Sequence, residues 1–162
     1  MSTDPVIRAA TVQDADGIAA VHVRSWQQTY APLVPPGALD DLDPVPRAAM
    51  WRRVMGEPEN TVLVALVAGR VVGFAAVGAP HGENPPRERE LVSLYVLAEH
   101  HGTGVGAALL DAALGAGPAS LWVADPNPRA QAFYRRHGFA RDGTVGEHPL
   151  AGHPVTEVRM IR

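Results

Sequence analysis

Three closely spaced glycines in the middle of the chain, Gly102, Gly104 and Gly106, place the strongest constraint on the fold. The preceding segment, Glu90–Val96, is rich in β-branched and aromatic residues, and the following segment has alanines and leucines at helical intervals. The pattern predicts a strand, a glycine loop and a helix. Because the first amides of a helix have no intrahelical partner and lie at the positive end of its dipole, this loop predicts an anion site, with phosphate as the first candidate.

Composition limits the classes of protein to which the chain can belong. With 162 residues, of which 46% are hydrophobic, residues 1–162 are expected to form a single globular domain. The N-terminal stretch lacks the pattern of a signal peptide and no apolar run is long enough to span a membrane, so we expect a cytoplasmic protein without a membrane partner. The formal net charge of -3 argues against a nucleic-acid partner.

Two residue types are missing, and each absence excludes a chemistry. Without cysteine, the chain cannot form disulfides, thiolate zinc sites or a thioester on the enzyme. Without lysine, it can provide neither a Schiff base nor the lysine of a nucleotide-triphosphatase P-loop.

The first half of the chain predicts one strand, two helices and a hairpin. Thr11 and Asp14 have the spacing of a helix cap, and Gly56 is expected to end the second helix. Polar and proline residues predict an exposed loop between the hairpin and the central strand. The predicted segments are an edge strand at Pro5–Ala10, a helix from about Pro46 to Met55, strands at Thr61–Val67 and Arg70–Val77, and the loop Pro80–Arg89.

The second half predicts a strand, a helix and two final strands after the glycine helix. Asn127 is expected at the N-cap, Pro128 at the first helical position and Gly138 at the C-terminal end of the last helix. The predicted strands are Ala119–Ala124, Phe139–Arg141 and Val155–Ile161, with Gly143–Pro154 between the last two. The order of elements predicts a mixed α/β sheet of about seven strands with helices on both faces.

The first helix carries a stripe of large side chains, since Ile18, His22, Trp26 and Tyr30 fall on one face at steps of four residues. Core packing explains such a stripe, above all for Ile18 and Trp26. Prolines interrupt the chain just after Tyr30, so Trp26 and Tyr30 also lie beside an irregular segment and are candidates to line a substrate pocket.

A family resemblance appears at the glycines. The run Leu94-Tyr95-Val96 followed by His100-His101-Gly102-Thr103-Gly104-Val105-Gly106 resembles the acetyl-coenzyme A signature of the GNAT superfamily of N-acyltransferases, Gln/Arg-x-x-Gly-x-Gly/Ala at a helix start. Asn127, Ala130, Phe133-Tyr134 and Gly138-Phe139 resemble the second half of the same family. One position differs from the signature, because His101 occupies the Gln/Arg position. A neutral imidazole offers less positive charge to a pyrophosphate than arginine does.

The resemblance implies a GNAT fold, in which a mostly antiparallel sheet has one splayed pair of strands. It implies that acetyl-coenzyme A is the co-substrate, with its pantetheine arm bonded to the backbone of Leu94 and Val96 in the gap between these strands. The pyrophosphate would then rest on the loop residues His101, Gly102, Thr103, Gly104, Val105 and Gly106, and Asn127 could contact the pantetheine as well as cap its helix. Family members are often dimers, so a homodimer is a further expectation.

Two residues match catalytic positions of the family. Glu90 is the candidate general base, acting through a water, and by strand alternation we expect it on the same face as Val92, Leu94 and Val96. Tyr134 matches the general acid that protonates the departing thiolate. A glutamate at a strand end and a helical tyrosine also have purely structural explanations, as an exposed charge and as core packing.

The histidines do not predict a metal site. His100 and His101 are adjacent and cannot converge on one ion from a regular element, and His148 and His153 lack acidic or thiolate neighbours at ligand spacing. Loop histidines such as His81 and His153 could instead contact a substrate.

The predicted activity is acetyl transfer to a primary amine, on a small molecule or a peptide, by direct attack in a ternary complex. A non-catalytic acyl-coenzyme A-binding module remains an alternative. A dinucleotide-dependent oxidoreductase is another, because Gly102-x-Gly104-x-x-Ala107 satisfies the loose dinucleotide fingerprint and Asp125 ends the next strand. The long segment between the central strand and the glycines argues against this second alternative.

Overall fold

The computed structural model describes residues 4–162, in which seven strands form one sheet that packs against four α-helices. Residues 1–3, which belong to the N-terminal stretch considered for a signal peptide, lie outside the described residues. Within that described part, no helix is long and apolar enough to cross a membrane. The strands are β1 (Val6–Ala9), β2 (Thr61–Val67), β3 (Arg70–Gly78), β4 (Glu90–Val96), β5 (Ser120–Ala124), β6 (Ala140–Leu150) and β7 (His153–Ile161). The helices are α1 (Ala15–Tyr30), α2 (Pro44–Gly56), α3 (Val105–Leu114) and α4 (Pro128–Arg136).

Side-chain caps set the helix starts. The Thr11 N–H donates to Asp14 Oδ2 at 2.8 Å, so the predicted cap is confirmed, although a short 3₁₀ turn precedes α1. Helix α2 begins two residues before the predicted start because Asp43 Oδ1 accepts from the Val45 N–H at 2.9 Å. The predicted cap of α4 is also confirmed, since Asn127 Oδ1 accepts from the Ala130 N–H at 3.2 Å.

The sheet order is β1-β2-β3-β4-β5-β7-β6, and every neighbouring pair except β4 and β5 is antiparallel. The predicted hairpin of β2 and β3 is confirmed: Ala68 and Gly69 both have positive φ, 50° and 74°, as a two-residue type I′ turn requires. A sheet with a single parallel pair is not the parallel sheet of a dinucleotide-binding fold.

One prediction about the C-terminal strands is wrong. The segment Gly143–Pro154, expected to separate two short strands, belongs to a long hairpin of β6 and β7 that turns at Ala151 and Gly152. Gly143, Gly146 and Pro149 are tolerated because β6 is an edge strand of the sheet, where breaks in the ladder cost least, and Pro154 lies in a part of β7 that does not pair with β5. The ladder also slips between Arg141 and Val145, which accommodates the bend in β6.

The hydrophobic core lies on both faces of the sheet. Helices α1 and α2 cover one face, where Ile18, Trp51 and Phe74 are buried together. Helix α3 covers the opposite face, where Leu109 and Leu121 are buried. Strands β2 and β3 are buried on both faces, as their continuous apolar sequences predict. The face of the sheet on which a functional residue lies therefore determines which helices surround its side chain.

Candidate active site

A gap opens in the middle of the sheet because β4 and β5 diverge. Their parallel pairing is restricted to Glu90 with Ser120 and Leu91 with Leu121. Beyond Leu91, β4 pairs with β3 alone, so its other edge faces the gap. The splayed strand pair implied by the family resemblance is thus present, and cavities lie on both sides of it.

On the α3 side, the glycine loop, the end of β4 and helix α4 enclose a cleft of about 640 Å³, which we call the glycine cleft. Tyr134 and the predicted co-substrate residues Leu94, Val96, His101, Gly102, Gly104 and Gly106 line it. Its charged and titratable lining is basic or neutral: His100, His101, Arg129, Arg136 and His137 contribute, and no aspartate or glutamate does. The cleft therefore has the electrostatic character of an anion site.

The loop amides at the start of α3 are available to a ligand. Gly102 and Gly104 have φ of 74° and 90°, a left-handed conformation that glycine adopts without strain. The first helical hydrogen bond joins the Ala108 N–H to the Gly104 carbonyl at 3.0 Å, so the amides of the first helical residues have no intrahelical partner. A Cβ added at Gly102 or Gly104 would meet no atom within 4 Å, so the loop lies open.

The side chains of two predicted loop residues, Thr103 and Val105, do not face the glycine cleft. The Val105 side chain is buried in the core, so a ligand could reach this residue only through its backbone. The Thr103 hydroxyl donates to the His100 carbonyl at 2.6 Å and stabilises the loop. Neither residue lines the glycine cleft.

His101 connects the loop to α4. The His101 Nε2–H donates to the Val96 carbonyl at 2.8 Å, which leaves Nδ1 to accept from Arg129 Nη1 at 2.9 Å. Arg129 Nη2 is 3.1 Å from Nε2, so the guanidinium lies alongside the ring. Burial lowers the pKa of His101, with the Arg129 charge acting in the same direction, and this favours the neutral imidazole. Arg129 thus brings a permanent positive charge to the position where the signature has Gln or Arg.

Tyr134 lies deep in the glycine cleft, where burial and the neighbouring Tyr95 raise its pKa above the usual tyrosine range. Its hydroxyl therefore keeps its proton at neutral pH. Asn127, besides capping α4, lines a small third cavity of about 110 Å³ beside the gap, which we call the passage.

Glu90 does not face the glycine cleft, so the prediction that it shares a face with Leu94 and Val96 is wrong. Ala76 pairs with Ser93 but Val77 pairs with Leu91, so Val92 is an extra residue, a β-bulge that interrupts the alternation. Leu91 and Leu94 consequently both pack on the α3 side, while Glu90 is directed to the α1 side. The bulge places Glu90 on the opposite face of the sheet from the residues that line the glycine cleft.

Glu90 lies in a second cavity of about 360 Å³, which we call the aromatic cavity. Its polar lining is Glu90, Glu157, His81 and His148, and its aromatic lining is Trp26, Tyr30, Tyr95 and Trp122. The predicted substrate residues Trp26 and Tyr30 are therefore both in its wall, whereas His153 is not.

The side chain of Glu90 is held at the base of the aromatic cavity. It is 3% exposed, and its Oε2 accepts from His81 Nδ1 at 2.8 Å, while its Oε1 is buried without a hydrogen-bond partner. Burial raises the pKa of Glu90, and the contact with His81 only partly offsets this effect. The pKa of Glu90 is thus displaced towards neutrality, as a general base requires.

The passage lies between the two cavities, at the gap. It shares Leu94 and Tyr134 with the glycine cleft and Tyr95 and Trp122 with the aromatic cavity. A donor bound on the α3 side and an acceptor bound on the α1 side could therefore meet between β4 and β5.

Sequence reasoning missed three residues of this arrangement. Arg129 follows the predicted N-cap of α4 by two positions, and this place at a helix start is the sequence feature that could have marked it as a site residue. Glu157 and Trp122 lie within strands. A glutamate or a tryptophan among apolar strand residues indicates that this face of the sheet does more than pack in the hydrophobic core. Among residues 4–162 no group of three or more histidine, cysteine, aspartate or glutamate side chains could hold a metal ion.

Comparison with known proteins identifies the family. Residues 21–139 match the model of the acetyltransferase (GNAT) family. The chain belongs to the GNAT family. It is accordingly an acyltransferase, and a GNAT N-acetyltransferase in its general activity.

Several relatives support this assignment. An uncharacterized N-acetyltransferase of Mycobacterium tuberculosis is 33% identical over 156 residues, which is 92% of this chain and 97% of the relative. The N-alpha-acetyltransferase RimI of the same species is 37% identical over 105 residues, covering 62% of this chain and 65% of the relative.

Solved structures show the same GNAT fold. The phosphinothricin acetyltransferase of Sinorhizobium meliloti in complex with acetyl-coenzyme A matches with a TM-score of 0.73 at 22% identity, covering 99% of this chain and 88% of the other. The PaiA N-acetyltransferase of Thermoplasma acidophilum in complex with coenzyme A matches with a TM-score of 0.67 at 19% identity, covering 96% of this chain and 98% of the other.

Proposed function

We propose that this N-acetyltransferase binds acetyl-coenzyme A in the glycine cleft and transfers its acetyl group directly to a primary amine in the aromatic cavity. The observation that carries the proposal is the difference in charge between two neighbouring cavities, each of which shares lining residues with the passage. The glycine cleft has basic residues and no carboxylate in its lining, whereas the aromatic cavity has two carboxylates and no arginine. An anionic donor and a cationic amine would each find a complementary environment, and the passage lies between them.

The residues of the glycine cleft fit the co-substrate. The open amides of Gly102, Gly104 and Gly106 suit a pyrophosphate, and Arg129, held by His101, adds the charge that a neutral imidazole lacks. The edge of β4 that faces the gap, at Leu94 and Val96, suits an extended arm bonded to the backbone. The Val96 carbonyl already accepts from His101, so it is the less available of the two. When bound, acetyl-coenzyme A supplies the activated acetyl thioester.

Glu90 and Tyr134 divide the proton transfers. The chain has no cysteine to carry the acetyl group as a thioester, and in direct transfer the amine nitrogen bonds to the carbonyl carbon before the carbon–sulfur bond breaks. Glu90 accepts the proton that the amine loses, through a water, and Tyr134 donates its hydroxyl proton to the departing thiolate. His81, whose side chain is 62% exposed, connects Glu90 to solvent and could carry the accepted proton away.

Thiol release from acetyl-coenzyme A, measured over a panel of primary amines, tests this function. We expect amine-dependent release of coenzyme A and one acetylated amine for each thiol. Calorimetric titration with coenzyme A alone, measured in parallel, identifies a non-catalytic binding module, which would bind the coenzyme and acetylate no amine. Absence of coenzyme binding would refute the proposed role of the glycine cleft.

A further inference from the structure

The lining of the aromatic cavity restricts the amine that it can accept. Four aromatic side chains, Trp26, Tyr30, Tyr95 and Trp122, form much of the wall, together with Val92, Leu150 and Val155. At about 360 Å³, the cavity is at the small end of the range of about 300–1,000 Å³ that is usual for small-molecule sites. Its size and apolar wall suit the hydrophobic body of one small molecule.

Two carboxylates, Glu90 and Glu157, lie in the lining of this cavity together with the imidazoles of His81 and His148. Glu90 is buried and its Oε1 has no hydrogen-bond partner, so a donor from a ligand would satisfy it. Glu157, on β7, is half-buried in the same wall; burial raises its pKa, with the nearby Glu90 adding to the effect, while His148 and His81 act in the opposite direction. The cavity can therefore stabilise an ammonium group.

No arginine of the described residues lines the aromatic cavity, and the chain contains no lysine. Two guanidinium groups lie against aromatic residues of the lining, and both serve other contacts. Arg47 lies over the ring of Trp26, 4.3 Å from its centroid, and Arg159 donates to Asp142 at 2.6 Å while it lies 5.7 Å from the centroid of Trp122. A ligand carboxylate in this cavity would thus face two glutamates with no arginine or lysine in the lining, and His81 is already engaged by Glu90, which is electrostatically unfavourable.

We propose that the acceptor is a small primary amine with an aromatic or aliphatic body and no acidic group near the reacting nitrogen, such as an arylalkylamine or a neutral amino-acid amide. This inference rests on the proposed function of the aromatic cavity as the acceptor site. It goes further in excluding free α-amino acids, whose carboxylate is two bonds from the amine nitrogen.

Three ligands test the proposal: 2-phenylethylamine, and the nearly isosteric pair phenylalaninamide and phenylalanine. They share the aromatic body, and only the third carries a carboxylate. We expect kcat/KM for the first two to exceed that for phenylalanine by at least about tenfold, since like charges brought together at a binding site lower affinity strongly. Equal use of the three, or a preference for phenylalanine, would overturn the proposal.

Binding of the same ligands gives a readout that does not depend on turnover. Trp26 and Trp122 line the cavity, so their fluorescence should change when a ligand enters, in the presence of saturating coenzyme A. We expect the same order of affinities as for kcat/KM. If coenzyme A binds but none of the three ligands changes the fluorescence or is acetylated, the acceptor class is wrong while the coenzyme site stands. If coenzyme A itself does not bind, the proposed function fails, and the acceptor class that rests on it fails with it.

A charge variant separates electrostatic exclusion from shape. Replacing Glu157→Gln preserves the size of the side chain and removes one of the two carboxylates. We expect the preference for phenylalaninamide over phenylalanine to narrow several-fold, with the Kd for coenzyme A unchanged because Glu157 is absent from the glycine cleft. An unchanged preference in this variant would show that charge does not determine the selection.

Discussion

Replacing Arg129→Gln should weaken the binding of coenzyme A about tenfold. Arg129 is the guanidinium that His101 holds at the edge of the glycine cleft, 2.9 Å from the imidazole Nδ1. A hydrogen bond to a charged group is worth about 1.5–3 kcal/mol, and the exposure of Arg129 places its contribution at the lower end. A loss of about 1.5 kcal/mol corresponds to about a tenfold increase in Kd.

Calorimetric titration with coenzyme A, without an acceptor, measures this effect on binding alone. Arg70→Gln is the matched control, since it removes the same charge from an exposed position that lines none of the three cavities. The control should keep its Kd within about twofold, because distant surface charges are screened at physiological ionic strength. If Arg129→Gln and Arg70→Gln behave alike, Arg129 does not take part in binding.

Two further variants show whether His101 acts through Arg129. Because His101 positions Arg129, removing both should cost less than the sum of the single losses, so His101→Ala should have a smaller effect when Arg129 is already glutamine. His101→Arg, which restores the family's residue at this position, should recover affinity in the Arg129→Gln background. Additive losses, or no recovery, would mean that the two residues do not share one function.

Three other predictions concern catalysis and stability. Tyr134→Phe should lower kcat by about 10²–10⁴-fold with coenzyme A binding retained, since a positioned general acid contributes about that much. If steady-state kinetics show an unchanged turnover, Tyr134 is not the general acid. Glu90→Gln should lower kcat/KM by about 10²-fold or more. In wild type, kcat/KM should rise as pH passes the raised pKa of Glu90, and the variant should lose this rise. Because the pKa of Glu90 is higher in the folded state than in the unfolded state, ionisation of Glu90 destabilises the fold as pH rises from the ordinary carboxyl pKa through the raised value. Glu90→Gln should therefore have a higher Tm than wild type at neutral pH and an equal Tm at acidic pH. Scanning calorimetry measures both. Phe74→Ala, in the core between α1 and the sheet, should lower the free energy of unfolding by about 3–5 kcal/mol in urea titrations, and a loss below about 1 kcal/mol would contradict the packing described.

The sequence by itself determined most elements and the candidate coenzyme site. Caps such as Asp14 and Asn127, the Ala68-Gly69 turn and the glycines of the loop act on the backbone within a few residues, so their effects can be predicted without knowing the rest of the fold. The predicted bounds of β4 agree with the structure for the same reason. The C-terminal hairpin was missed because its glycines and prolines resemble a loop, and pairing with β7 outweighs that local preference.

Only the tertiary structure decided which side chains meet. A single extra residue at Val92 reverses the face of Glu90, and this bulge depends on how β4 pairs with β3 rather than on the sequence of β4. Arg129 and His101 are 28 residues apart and meet because α4 packs beside the glycine loop, while Glu157 reaches the cavity of Glu90 through the β5–β7 pairing. Local patterns depend on short-range backbone energetics, whereas the charges of the two cavities arise from long-range packing, which no spacing in the sequence encodes.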